Sequence, residues 1–155
     1  GLILSTRESA AMRREACALG VSQISAGSRT NPGGYGADED STGQFQLGDH
    51  RSLEEVVAEL AASGYVPSFC TACYRAGRTG KDFMDLAKPG LIKRKCDPNA
   101  VTTLQEYLCD YASPATQQAG SQAIVEALDD MEPKTRRNAE KMLGMIRAGR
   151  RDIYC

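Results

Sequence analysis

The chain has 155 residues, 41% of them hydrophobic and 25% charged, with a formal net charge of −1. This is a globular composition, able to bury one modest core or two small ones. No apolar run is long enough for a membrane span and no basic-then-apolar leader opens the sequence, so a cytoplasmic protein with neither a membrane nor a nucleic-acid partner is expected.

The chain opens mid-strand at Gly1 and is therefore read as a piece of something larger. Leu2 to Leu4 is a short apolar run, and Ser5 with Glu8 forms a capping-box pattern that predicts a helix through Leu19, stopped by Gly20. Val21 to Ser25 alternates as a strand does. Strand, helix, strand implies parallel pairing with a right-handed crossover, and two parallel strands need further neighbours, such as the rest of a (β/α) barrel. Residues 25–49 are rich in Gly, Ser, Asn and Asp and predict a long functional loop or linker.

Ser52 and Glu55 repeat the capping box ahead of Leu53, Val56, Val57 and Leu60, with Gly64 as the stop. Pro67 makes the next stretch an extended approach rather than a central strand. Beyond Cys96 three helices are expected. Asp97-Pro98 and Ser113-Pro114 each read as an N-cap followed by proline, and Pro133 starts the third. Their stripes, Leu104/Tyr107/Leu108/Tyr111, Ile124/Ala127/Leu128/Met131 and Ala139/Met142/Leu143/Ile146, read as core.

The near-neutral charge hides an asymmetry. Residues 70–96 carry 7 basic and 2 acidic side chains, against 5 and 9 before them and 7 and 9 after. That basic stretch, expected as a loop, also holds three of the six cysteines. Cations beside thiols are expected to depress their pKa and to favour an anionic ligand. With no leader, the six cysteines point to metal binding or redox work in a reducing compartment rather than to disulfides.

Cys70-x2-Cys73-x22-Cys96 admits three readings. A Cys3His zinc site would need His50, the chain's single histidine, and would make the chain a helical docking module without catalysis. A CxxC redox pair needs no third cysteine. A 4Fe-4S cluster on three thiolates leaves one iron open to an outside ligand. Cys17 and Cys109 lie in predicted amphipathic helices, where cysteine behaves as a small apolar residue, and Cys155 is expected to be frayed. None of these three, nor His50, is assigned a role in a cluster.

The segments GLILSTRE, GVSQISAGSRTNPGGY, QFQLGDHRSL, GYVPSFCTACYRAGRTG, AKPG and PNAVTTLQEYLCDYAS together resemble the C-terminal part of the radical S-adenosylmethionine tyrosine lyases that mature iron-iron hydrogenase. LSTRE and SAGSR are shared with related aromatic amino acid lyases, including those that make a thiamine precursor; CTACYR and the x22 cysteine point to the maturases. The resemblance fades after about Ser113, and the stretch GADEDSTG looks longer and more acidic than the family pattern.

This resemblance implies that Cys70, Cys73 and Cys96 hold an auxiliary 4Fe-4S cluster whose open iron is bridged by a cysteine ligand to an additional iron. It implies tyrosine as substrate, cleaved to p-cresol and dehydroglycine, and conversion of the latter to CO and cyanide for H-cluster assembly with other maturation proteins. S-adenosylmethionine and a second 4Fe-4S cluster belong to a CxxxCxxC motif that this sequence does not contain, so the chain alone is not expected to start the radical chemistry. The implied fold is α/β plus α: residues 1–50 as the end of a (β/α) barrel with its connecting loop, and 51–155 as a mainly helical domain carrying the cluster. Arg7 and Ser25 would then lie at the C-terminal ends of strands, where Arg7 could hold the tyrosine carboxylate and Ser25 could assist. Arg29 and the Gly33-Gly34 loop would line the passage between the two clusters.

Overall fold

The computed structural model describes residues 2–35 and 43–155; GADEDST, most of the acidic stretch singled out above, lies outside the described residues. The chain is a mixed, mainly helical structure with one small sheet, and it divides into two compact units, Gly1–Val56 and Val57–Cys155.

In the first unit, strand β1 (Ile3–Leu4) runs through helix α1 (Ala10–Ala18) to strand β2 (Gln23–Ile24). The strands pair in parallel, Ile3 opposite Gln23 and Leu4 opposite Ile24. The helix starts later than the Ser5–Glu8 pattern suggests. Ser5 Oγ accepts from the Arg7 amide in a local turn, and the Thr6 carbonyl accepts from the amides of Gly48 and Asp49 (2.9 and 3.0 Å). With those groups engaged outside any helix, Ser9 becomes the cap, its side chain accepting from the Met12 amide. The second capping box forms as the sequence predicts. Glu55 Oε2 accepts from the Ser52 amide and Ser52 Oγ accepts from the Glu55 amide, opening α2 (Leu53–Ala62).

The second unit is helical. The basic cysteine stretch is not a plain loop: it contains α3 (Ala72–Arg75), α4 (Gly80–Ala87) and the start of α5 (Lys93–Asp110). Asp97-Pro98 therefore does not start a helix. The amides of Lys93, Arg94 and Lys95 bond to the carbonyls of Gly90, Leu91 and Ile92, so a tight turn upstream nucleates α5 and places Pro98 near its beginning. Ser113-Pro114 and Glu132-Pro133 do open α6 (Pro114–Asp129) and α7 (Pro133–Arg147), each with proline at the first helical position.

Helix α5 packs against α6 and α7. Val57, Val101, Leu104, Leu108, Ile124, Ala139 and Leu143 form the core, with Tyr107, Ala127, Leu128 and Met131 packed at its edge. Tyr111 lies in solvent instead, because the helix ends one residue before it. Among the described residues no helix is long and apolar enough to cross a membrane.

Gly120 faces Leu108 so closely that a Cβ there would lie 2.6 Å from Leu108 Cδ2, whereas one at Gly144 would meet nothing within 4 Å. A helix-interior Gly→Ala change ordinarily stabilises by about 0.5–1 kcal/mol. Gly144→Ala is expected to raise the melting temperature accordingly. Gly120→Ala is expected to lower it, because overpacking costs about 1–3 kcal/mol and outweighs the propensity gain; thermal melts of the two variants check the opposite signs.

Candidate metal centre

Three segments carry the CxxC…C cysteines. Tyr65 to Cys70 is extended and is pinned to α5 where Thr103 Oγ1 accepts from the Phe69 amide (3.2 Å) and meets Ser68 Oγ. Phe69 stacks on Tyr107, ring centroids 5.2 Å apart, which fixes the chain direction just before Cys70. Cys70 Sγ accepts from the Ala72 amide at the opening of α3, and Cys73 sits within that helix. Cys96 lies in the first turns of α5. Cys70 and Cys96 are exposed and Cys73 is partly buried.

The three thiols are close enough to act on one another. Although Cys96 as a residue is exposed, desolvation of its thiol comes first, and the negative charge of Cys73 and Cys70 as thiolates and that of Asp97 add to it, pushing the thiol above its ordinary pKa, while Arg78 pulls the other way. At Cys96 this corrects the expectation that the basic stretch depresses the thiol. Three of its seven cations are paired elsewhere: Arg75 with Asp152, Lys81 with Asp85 and Arg94 with Glu132. Arg78 lies against the CxxC segment. Its amide donates to the Cys73 carbonyl (2.8 Å), its Nη2 donates to the Cys155 carbonyl (2.8 Å), and its buried Nε has no partner.

An orphaned buried donor beside three thiols fits an anionic group held there by thiolates. Among the described residues no three His, Cys, Asp or Glu side chains converge closely enough to hold a single metal ion.

The other predicted site residues lie in the first unit. Ser25 directly follows β2; its amide donates to the Leu4 carbonyl (3.0 Å), and its carbonyl accepts from Arg13 Nη2. Arg7 follows β1 in the turn, with its guanidinium 4.4 Å from the centroid of the Phe45 ring. Both thus sit past the C-terminal ends of paired parallel strands. Sequence reasoning missed what anchors them. Arg13 and Asp49, 1% and 3% exposed, form a buried ion pair, and Arg51 completes it with Nη2 and Nε on the same carboxylate (2.7 and 2.9 Å). Hydrogen bonding from Arg51 holds the Asp49 carboxyl at a pKa of about 2, despite desolvation. Gly48 lets this segment approach, since a Cβ there would lie 2.4 Å from the Arg7 carbonyl oxygen. No pattern in the sequence links residues 13 and 49; only the fold joins them.

Two more corrections concern cysteines. Cys109 is exposed rather than core. Cys155 is partly buried and held at its main chain by Asn99 and Arg78, so it is not frayed.

Comparison with known proteins places this geometry in context. Residues 1–66 match a family model described as the Biotin and Thiamin Synthesis associated domain. Over 66 residues the chain is 42% identical to 2-iminoacetate synthases of Salmonella typhimurium and Escherichia coli, covering 43% of this chain and 18% of theirs. Along its whole length it is similar to HydG, a maturase of the FeFe hydrogenase. That crystal structure superposes with a TM-score of 0.92 at 44% identity, covering 100% of this chain and 34% of the other. The chain matches a HydG-like C-terminal segment, and spans about a third of that protein and under a fifth of the curated synthases.

The Asp49 ion pairs set a pH signature. A carboxyl lowered from 3.8 to about 2 on folding contributes stability that is fully present above pH 4 and lost as pH falls through 2. Asp49→Asn leaves Arg13 buried without its counter-charge and is expected to cost about 3–5 kcal/mol at neutral pH. It should also flatten the acid limb of stability between pH 4 and 2; urea unfolding across that range measures both.

Proposed function

We propose that this chain is the C-terminal part of a radical S-adenosylmethionine tyrosine lyase that matures iron-iron hydrogenase. Its own contribution is an auxiliary 4Fe-4S site on Cys70, Cys73 and Cys96, together with part of the substrate pocket at Arg7 and Ser25. One coincidence carries the reading: the chain is similar to HydG from end to end, and the three cysteines of its distinctive spacing are close enough in space to perturb one another.

On this reading residues 1–50 are the end of a (β/α) barrel with its connecting loop, and 51–155 are the auxiliary-cluster domain. The parallel β1–α1–β2 unit supports the barrel assignment, since parallel strands joined by a helix are its repeating element. The complete protein, in the cytoplasm, brings S-adenosylmethionine and a second 4Fe-4S cluster on its CxxxCxxC motif, and cleaves tyrosine to p-cresol and dehydroglycine. Dehydroglycine yields the CO and cyanide that other maturation proteins use in H-cluster assembly.

When bound, the auxiliary cluster would be held by Cys70, Cys73 and Cys96 and would supply an iron open to an external ligand such as cysteine. The chain's own residues prepare that site. Thr103, through the Phe69 amide, fixes the approach to Cys70, the first turns of α5 present Cys96, and Arg78 offsets thiolate charge with a free Nε donor. Arg7 offers a planar guanidinium, steadied over Phe45, for two-point contact with a carboxylate. The Arg13–Asp49 pair holds the Ser25 backbone, and hence the end of β2, in place.

Anaerobic reconstitution of the full-length protein with iron and sulfide is expected to load about four more irons in wild type than in Cys96→Ala, with loss of one cluster signal in electron paramagnetic resonance. One tightly held zinc and no Cys96-dependent signal would sink the reading. In steady-state assays of p-cresol release, Arg7→Lys is expected to raise the KM for tyrosine by about tenfold with a smaller effect on kcat, because an ammonium cannot make the two-point contact.

A further inference from the structure

Residues 150–155 run back along α5 in order, against its direction. Arg151 clasps Asp110 with Nε and Nη2 (2.7 and 2.6 Å), and the Asp152 amide donates to Glu106 Oε1 (2.6 Å). The Cys155 amide donates to Asn99 Oδ1 (2.9 Å), while Asn99 Nδ2 and Arg78 Nη2 donate to the Cys155 carbonyl (3.2 and 2.8 Å). On the other side, Arg75 of α3 pairs with Asp152 and lies 4.4 Å from the Tyr154 ring centroid.

Asp152 adopts a left-handed backbone, φ 60°, at the turn this path requires. Exposed ion pairs contribute little one at a time. Here they follow one another in register and all favour the same path. The tail is a strap across the two helices that carry Cys73 and Cys96.

The strap ends at the cysteine site. Cys155 Sγ makes a long contact with the carbonyl of Lys95, the residue before Cys96, and its main chain is bonded to Asn99, one helical turn after Cys96. Its thiol also feels the charge of Cys70. From this geometry we propose that Cys155 is a fourth, displaceable thiol ligand of the Cys70–Cys73–Cys96 site, occupying the open position of the bound group until an external ligand takes it. This rests on the cluster reading above and adds the regulation of that site.

The thiol gives its proton to solvent as the sulfur–iron bond forms, and regains one when an external ligand replaces it, with no change in oxidation level. Cys155 therefore shields the open iron in the resting protein and makes external ligands compete for it. The bonds to Asn99 and Arg78 use the main chain of Cys155, whereas its thiol meets the Lys95 carbonyl and the Asn138 side chain, so substitution of the side chain leaves the main-chain anchors of the strap in place.

The test uses full-length protein reconstituted anaerobically, as wild type, Cys155→Ser and Cys155→Ala, with Cys96→Ala defining the auxiliary signal. The electron paramagnetic resonance of the reduced protein is followed during titration with L-cysteine as a small-thiol probe. In both Cys155 variants the Cys96-dependent signal is expected to differ from wild type before any ligand is added. The L-cysteine concentration for half-conversion should fall about tenfold, as for release of a competitor that blocks about nine sites in ten.

Unchanged spectra and midpoints in variants that keep the Cys96-dependent signal would overturn the inference and leave the cluster reading standing. Complete loss of the signal in both variants would make Cys155 an obligatory ligand and overturn its displaceable role. No Cys96-dependent signal even in wild type would remove both readings together.

Discussion

The second unit depends on one helix serving two ends. Helix α5 buries Val101, Leu104 and Leu108 along one face, with Leu104 wholly inaccessible to solvent. The same rod carries Cys96 near its start. A helix whose middle is locked by close packing cannot rotate its first turns freely, so core packing fixes where the Cys96 thiol points. Thr103 and Tyr107, on the same helix, then position the segment that delivers Cys70. The site's geometry is thus a by-product of hydrophobic burial some two turns away.

Charge is organised around that rod. Seven cations fall within residues 70–96, yet ion pairs hold Arg75, Lys81 and Arg94 away from the thiols. Arg78 lies beside the cysteines, with one nitrogen bound to the strap and another buried without a partner. At Cys96, desolvation of the thiol outweighs the pull of Arg78.

The first unit solves a different problem. Two-residue strands give few ladder bonds, so the parallel pair needs support from elsewhere. It comes from the Arg13–Asp49–Arg51 cluster and from the Thr6 carbonyl, which together tie the start of α1, the end of β2 and the 48–51 segment into one knot. Breaking such a knot is costly because the charges are already out of water.

The sequence by itself determined the order and type of most elements. Periodicity of 3.6 placed the core stripes of α2, α5, α6 and α7, and local capping chemistry at Ser52, Ser113 and Pro133 marked helix starts that need no distant partner. The grouping of Cys70, Cys73 and Cys96 in one basic stretch was likewise legible, because it is a matter of spacing along the chain. Tertiary structure decided the rest. Helix α1 starts after its Ser9 cap because Thr6 bonds to residues 48 and 49, α5 starts before Pro98 because a preceding turn supplies its first carbonyls, and Cys155 lies against Lys95 because residues 99, 106 and 110 draw residues 151–155 back along α5. Each of these depends on which distant groups satisfy a backbone polar group or a charge, and separation along the chain carries no record of that.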